Sequence, residues 1–131
     1  FKEELFTASK GEGTYLHNER IRVTISNGLE GTLIGTGFPF KHPQHLDCYI
    51  ETFRAIHPHV SGIRRAGAAA LDLAYVASGR GEGLCQRNLN YWDIAAGILM
   101  VKESGGIVPT SSTTAQLALG DALAISSMHS I

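Results

Sequence analysis

The feature that most constrains the fold is the apolar segment 94–101, which contains no polar side chain. A helix that is apolar all round is buried, so we expect this one to be covered on more than one side. Asn90 is a plausible N-cap, and Asp93 in the first turn would interact favourably with the positive end of the helix dipole. Asp93 is therefore either a helix-capping acid or a metal-binding or catalytic residue.

Helical and strand-like segments alternate along the rest of the chain. Short apolar runs between turn residues predict hairpins over 1–23, and 31–37 is typical of a buried strand followed by an exposed loop. Apolar positions at helical spacing predict an amphipathic surface helix over 44–57, and small residues predict another over 67–79. Further strands are expected at 60–64, 84–86, 107–109 and 122–126. Because strands alternate with helices, the predicted class is α/β.

Composition limits the classes of protein to which the chain can belong. Its 131 residues fit one ordinary domain, and 44% hydrophobic residues favour folding over disorder. A net charge of -1 supplies no basic field, so we expect no direct DNA binding. No apolar run approaches the roughly 20 residues that span a bilayer, and the 2 cysteines are too few for a disulfide framework. We therefore expect a cytoplasmic protein without a membrane segment.

Two predicted helix entrances each follow a strand, which is where ligands collect in open α/β sheets. At Gly67, Ala68 and Ala69 the small side chains leave backbone N–H groups reachable for an anion, although close packing against a neighbouring helix would also explain them. Gln86 ends the strand between the two entrances. A divalent cation on Asp93 with a phosphate nearby would use both entrances. Mg²⁺ normally needs more oxygen ligands, so Asp93 alone is not a site.

The other polar motifs of the chain are weaker candidates for a binding or catalytic site. The glycine-rich turns at 11–13 and 79–83 lack the Lys-Ser/Thr pair of a phosphate-binding loop. Arg64 and Arg65 could meet a phosphate, an acidic partner or water. Four histidines lack the usual spacing of metal ligands, and we expect them to be solvated or to cap helices: His42, His45, His57 and His59.

Longer motifs resemble a known family. Trp92-Asp93-Ile94-Ala95-Ala96-Gly97, followed by Glu103-Ser104-Gly105-Gly106-Ile107-Val108, resembles the C-terminal signature of the inositol monophosphatase family of Mg²⁺-dependent phosphatases. Segment 64–80, Arg-Arg-Ala-Gly-Ala-Ala-Ala-Leu-Asp-Leu-Ala-Tyr-Val-Ala-Ser-Gly-Arg, resembles the preceding motif of the bacterial SuhB-type members. Segments 4–8 and 36–40 are similar to them as well. The resemblance therefore runs along nearly the whole chain.

The resemblance implies roles for particular residues. Asp93 would be a metal ligand on the side of the activated water. Gly67, Ala68 and Ala69 would contact the substrate. Gln86 stands where the family has a glutamate that hydrogen-bonds inositol hydroxyls, so the preference for inositol is open.

It also implies an architecture and a reaction. The fold would be the layered α/β arrangement of the family, with 1–30 the end of an N-terminal antiparallel sheet and 31–131 a C-terminal α/β subdomain. Because the family's acidic metal-binding segments would lie before Phe1, we expect a fragment that is inactive or nearly so alone. In the intact protein, Mg²⁺ would activate a water that hydrolyses a phosphate monoester such as inositol phosphate.

The same resemblance leaves other functions open. Family members usually form homodimers, and SuhB-type proteins resemble partners of the transcription antitermination machinery. A catalytically incomplete binding protein would then use Arg64, Arg65 and the predicted helix 44–57 as its contact surface. A degenerate product without activity would aggregate, because half of its sheet would be missing.

Overall fold

The computed structural model describes residues 2–26, 28–38, 40–86, 89–108, 122–125 and 127–128. Strands and helices alternate through most of these residues. The strands are β1 (Phe6–Ser9), β2 (Gly13–Leu16), β3 (Glu19–Ile21), β4 (Ile25–Ser26), β5 (Leu33–Thr36), β6 (Gly62–Arg64), β7 (Gly83–Gln86), β8 (Ala122–Ile125) and β9 (Ser127–Met128). The helices are α1 (Leu46–Ile56), α2 (Ala69–Ala77) and α3 (Tyr91–Glu103).

A sheet with the strand order β6-β5-β7-β8 forms the centre of the molecule. Strand β5 pairs in parallel with β6 and β7, and β8 is antiparallel to β7. Strands β1, β2 and β3 form a separate antiparallel sheet, and β4 pairs in parallel with β9. Because α1 and α2 connect the parallel strands, the α/β class is confirmed.

The two faces of the central sheet carry different helices. Side chains alternate between the faces of a strand, and in β5 Ile34 and Thr36 line a cavity beneath α1. Gly35 points to the other face, where an added Cβ would lie 3.8 Å from the carboxyl carbon of Asp72 in α2. The layers are therefore α1, the sheet, and then α2 with α3 packed against it.

Helices α2 and α3 approach each other closely at one glycine. A Cβ added at Gly97 of α3 would lie 2.4 Å from Cδ1 of Leu73 in α2, which is too close for any side chain. Leu73 is fully buried at this contact. The two helices and their neighbours enclose the main hydrophobic core, whose buried members are Val23, Leu73, Val76, Ala77, Leu84, Ile94, Val101 and Val108.

The hairpin of β1 and β2 attaches to the C-terminal half of α3. The hydroxyl of Thr14, fully buried, donates to the carbonyl oxygen of Met100 at 2.7 Å. The carboxylate of Glu103 accepts hydrogen bonds from the N–H groups of Gly11 at 3.0 Å and Gly13 at 3.2 Å. These two N–H groups lower the pKa of Glu103. The hairpin therefore holds the C-terminal end of α3, whereas Asp93 lies at its N-terminal end.

Several expectations need correction in detail. The apolar segment 94–101 is covered on more than one side, by α2 and the hairpin, but Ala96 is exposed and burial is not complete all round. The helix predicted over 44–57 is α1 at Leu46–Ile56, and its expected ends lie instead in two 3-10 turns, Pro43–His45 and His57–His59. The predicted strand at 107–109 is reduced to a single bridge at Ile107, and Pro109 and Ser126 lie outside the described residues.

The helices of the described part are short or carry charge. Within that part, none combines the length and the apolar character that crossing a bilayer requires.

Candidate functional site

Asp93 lies at the start of α3, and its carboxylate is exposed. The backbone N–H of Asn90, the N-cap residue, donates to Oδ2 of Asp93 at 3.3 Å. The capping interaction expected of an acid in the first turn is thus present. The exposure of Asp93 leaves its carboxylate accessible to a cation from solvent. Both interpretations of Asp93, as a cap and as a metal ligand, are compatible with this geometry.

The neighbours of Asp93 decide how much of a metal site it could form. Among the described residues, no group of three or more His, Cys, Asp or Glu side chains could hold a metal ion. Trp92 and Tyr91 beside it are 79% and 74% exposed. An exposed carboxylate fits the oxygen preference of Mg²⁺, but it supplies one ligand of about six. Asp93 can therefore be one ligand of a metal site and not a complete site.

The entrance of α2 is built from small residues. Gly67 has a φ of +95°, which favours glycine, and Ala68 is the N-cap in an extended conformation, without a side-chain capping bond. Gly67 and Ala68 are exposed, whereas Ala69 is buried. The close approach of α2 to α3 is at Leu73 and Gly97, not at this entrance. The first backbone N–H groups of α2 therefore start at an exposed surface, as anion binding would require.

Gln86 is the last residue of β7. Its amide lies directly over Gly37, where an added Cβ would be 2.2 Å from Gln86 Cδ. The side chain is half-buried and lines the cavity of about 40 Å³ beneath α1, together with Thr36 and Tyr49. Of the described residues, those lining this cavity do not include Gly67–Ala69 or Asp93. The structure therefore does not join Gln86 with the two helix entrances in one cavity.

One buried acid was not assigned any role from the sequence. Asp72 is only 9% exposed, and its Oδ2 has no hydrogen-bond partner among the described residues. Burial raises the pKa of Asp72, and the positive charge of Arg65 opposes that increase. The available signal was a single acid within the otherwise apolar or small residues of α2. A buried carboxylate without a hydrogen-bond partner destabilises the fold, so an acid at such a position is expected to bind a donor or a cation.

Comparison with known proteins identifies the family. The model of the inositol monophosphatase family matches residues 1–129. The chain is 51% identical over 109 residues to "Nus factor SuhB" of Pseudomonas aeruginosa and 44% identical over 104 residues to "Inositol-1-monophosphatase" of Rhizobium meliloti. These alignments cover 82% and 79% of this chain but 40% and 39% of the relatives.

A solved structure agrees with the sequence matches. The extragenic suppressor protein SuhB of Bartonella henselae superimposes with a TM-score of 0.85 at 42% identity, over 95% of this chain and 48% of that one. The chain thus spans less than half the length of these similar proteins. The motif at 92–97, the layered α/β arrangement and the family match agree with one another. The chain belongs to the inositol monophosphatase family.

Proposed function

We propose that the protein is a Mg²⁺-dependent phosphomonoesterase that hydrolyses inositol phosphate to inositol and phosphate. Family membership supports a phosphatase, and the observation that carries the assignment is the exposed carboxylate of Asp93 within the family motif at the start of α3. The proposal goes further than family membership in naming Mg²⁺, the substrate and the residues that bind them.

Each residue has a defined part in this proposal. Asp93 supplies one oxygen ligand to Mg²⁺, and the bound metal supplies an activated water and stabilises charge on the phosphate. Gly67, Ala68 and Ala69 orient the substrate through backbone N–H groups at the entrance of α2. Gln86 supplies an amide where the family has a glutamate. An uncharged amide still donates and accepts, but it attracts a substrate hydroxyl less strongly than a carboxylate does.

The chain alone is proposed to be inactive or nearly so. The described residues offer no cluster of three metal-binding side chains, and the chain spans about 40% of its curated relatives. We also propose that the chain divides at residue 30, with the end of an antiparallel sheet before it and an α/β subdomain after it. We therefore expect residues 1–131 to release no more than a small fraction of the phosphate that the Rhizobium meliloti relative releases from inositol 1-phosphate with Mg²⁺.

The role of Asp93 requires an active protein for its test. Residues 1–131 would be joined to the N-terminal part of the Pseudomonas aeruginosa relative, and Mg²⁺-dependent phosphate release would be measured. We expect Asp93→Asn to reduce kcat/KM by about 10²-fold or more, because a metal ligand is lost. Asp47→Asn is the matched control, since Asp47 is also an exposed acid in the first turn of a helix. Equal activity of the two variants would refute the metal role.

A second function is proposed because several relatives carry the name of a Nus factor. We propose that Arg64, Arg65 and helix α1 contact transcription antitermination proteins. Both arginines are exposed, and the face of α1 that points away from the sheet is exposed as well, at Asp47, Glu51 and Arg54. We also propose, independently of either function, that the protein forms a homodimer and is located in the cytoplasm.

The two functions can be separated by charge reversal. Arg64→Glu with Arg65→Glu should weaken capture of antitermination proteins in a pull-down, because the electrostatic attraction to an acidic surface is inverted. Phosphatase activity of the joined protein described above should remain, since neither side chain is assigned to the reaction. Loss of both properties together would contradict the separation.

A further inference from the structure

A crevice runs between α2 and the edge strand β6, on the face of the sheet that α2 covers. Its volume is about 310 Å³, whereas a single water needs about 10–15 Å³ on the same measure. Gly35 and Gly83 form part of its floor, and most of its lining is apolar, with a few charged side chains at its walls. The polar groups that matter are those of Arg64, Arg65 and Asp72. The crevice therefore has room for a small polar ligand.

The carboxylate of Asp72 gives the crevice an unsatisfied acceptor. Asp72 is more than nine-tenths buried, its backbone N–H is bonded within α2 to Ala68, and its Oδ2 lacks a partner in the described part of the chain. Gly35 opposite has no side chain, and even an added Cβ would leave 3.8 Å to the carboxyl carbon. A buried acceptor of this kind is stabilised by a hydrogen-bond donor.

Two arginines that line the same crevice have no carboxylate partner among the described residues. Arg65 lies over the ring of Phe40 at 5.2 Å, and Arg64 donates to the carbonyl oxygen of Ile63 at 3.1 Å. Neither forms a salt bridge with any residue that the structure describes. Arg80, at the far end of the crevice, is paired with Glu4 through contacts of 2.5 Å and 2.9 Å. The positive charge available for a ligand is therefore that of Arg64 and Arg65.

We propose that this crevice binds inorganic phosphate, with Arg64 and Arg65 holding its charged oxygens and Asp72 accepting the hydrogen bond of its protonated oxygen. Inorganic phosphate keeps a proton at neutral pH, so one ion supplies both the negative charge and the donor. Sulfate has the charge without the proton, and the Asp72 carboxylate would repel it. The proposed site is distinct from the metal ligand Asp93 and does not depend on the proposed phosphatase activity.

Isothermal titration calorimetry with EDTA present tests the proposal without any metal. The protein should bind inorganic phosphate and fail to bind sulfate. Methyl phosphate at pH 8, which has lost its last proton, should also fail to bind, and this separates free phosphate from a phosphate ester. Asp72→Asn replaces part of the acceptor by an N–H donor, so this variant should bind sulfate and phosphate with similar affinity.

Arginine variants complete the test. Arg65→Gln should weaken phosphate binding by about tenfold or more, because a charge-assisted contact is lost. Arg54→Gln is the matched control, since Arg54 is an exposed arginine on α1, and it should leave binding unchanged. Asp93→Asn should also leave phosphate binding intact even if it abolishes phosphatase activity, so the two proposals fail separately.

Three results would overturn the site. They are no binding of phosphate by the wild-type protein, equal binding of sulfate and phosphate by the wild-type protein, and unchanged selectivity in Asp72→Asn. Circular dichroism of each variant checks that its helices are retained.

Discussion

Helices α1 and α2 cover opposite faces of the same sheet, but they are buried to different extents. Helix α2 buries most of its residues, including Leu73, Val76 and Ala77, whereas α1 buries none. On α1, Ile50 and Phe53 are each 38% exposed. Helix α1 has the stronger amphipathic pattern in the sequence, so amphipathic spacing predicted a helix correctly without predicting how deeply it would pack. Small residues such as Gly97 let α2 and α3 pack against each other more closely than α1 packs on the sheet.

The largest expected difference in stability is between the loss of one apolar side chain on α2 and the loss of one on α1. Leu73→Ala should lower the free energy of unfolding by about 2–5 kcal/mol, because Leu73 is fully buried and its loss leaves a cavity. Phe53→Ala on α1 should cost at most about 1 kcal/mol, since the ring is partly solvated. Urea unfolding of both variants measures the two changes. A larger cost for Phe53→Ala would mean that α1 is covered in solution.

The effect of Asp72 on the stability of the protein should depend on pH, unlike that of an exposed acid on α1. Burial raises the pKa of Asp72 above that of the unfolded chain, so its stabilising contribution is present below the unfolded pKa and is lost as pH rises through the folded pKa. Asp72→Asn should therefore be more stable than the wild type at neutral pH, by about 1 kcal/mol, because no charge is buried. The gain should shrink on acidification.

The matched control for Asp72 lies on α1. Asp47→Asn changes an exposed carboxyl group and should alter stability little at any pH. Urea unfolding between pH 4 and 8, without added phosphate, gives the comparison. A neutral or negative effect of Asp72→Asn at pH 7 would show that the carboxylate has a partner in solution.

The smallest expected effect is at Glu103, on the α3 side. Two backbone N–H groups lower the pKa of Glu103, so its contribution is present above the unfolded pKa and is lost as pH falls through the folded pKa. Glu103→Gln should slightly lower the melting temperature at pH 7, and the difference should vanish in acid. Glu51→Gln on α1, which changes an exposed carboxylate, should show neither effect. A constant difference at all pH values would exclude this electrostatic origin.

Local sequence predicted the helices α1, α2 and α3, although their ends differ from the predicted ones by a few residues. The apolar segment 94–101, with Asn90 before it, predicted α3, and the spacing within 44–57 predicted α1. Gly79, expected at the end of the helix 67–79, has a φ of +79° just after α2. These features depend on residues within one or two turns of each other, so a linear reading captures them. The motif at 92–97 likewise indicated the family.

Only the tertiary structure decided which faces were covered and which polar groups lacked partners. Leu73 meets Gly97, Gln86 meets Gly37, and Asp72 faces Gly35, in each case across a distance along the chain that periodicity does not address. The cover of a helix and the environment of a buried carboxylate come from the elements packed against them. The motif at 92–97 alone therefore predicted a candidate role for Asp93. Only the packing of α2 on the sheet showed that Asp72 is buried and that its Oδ2 has no partner among the described residues.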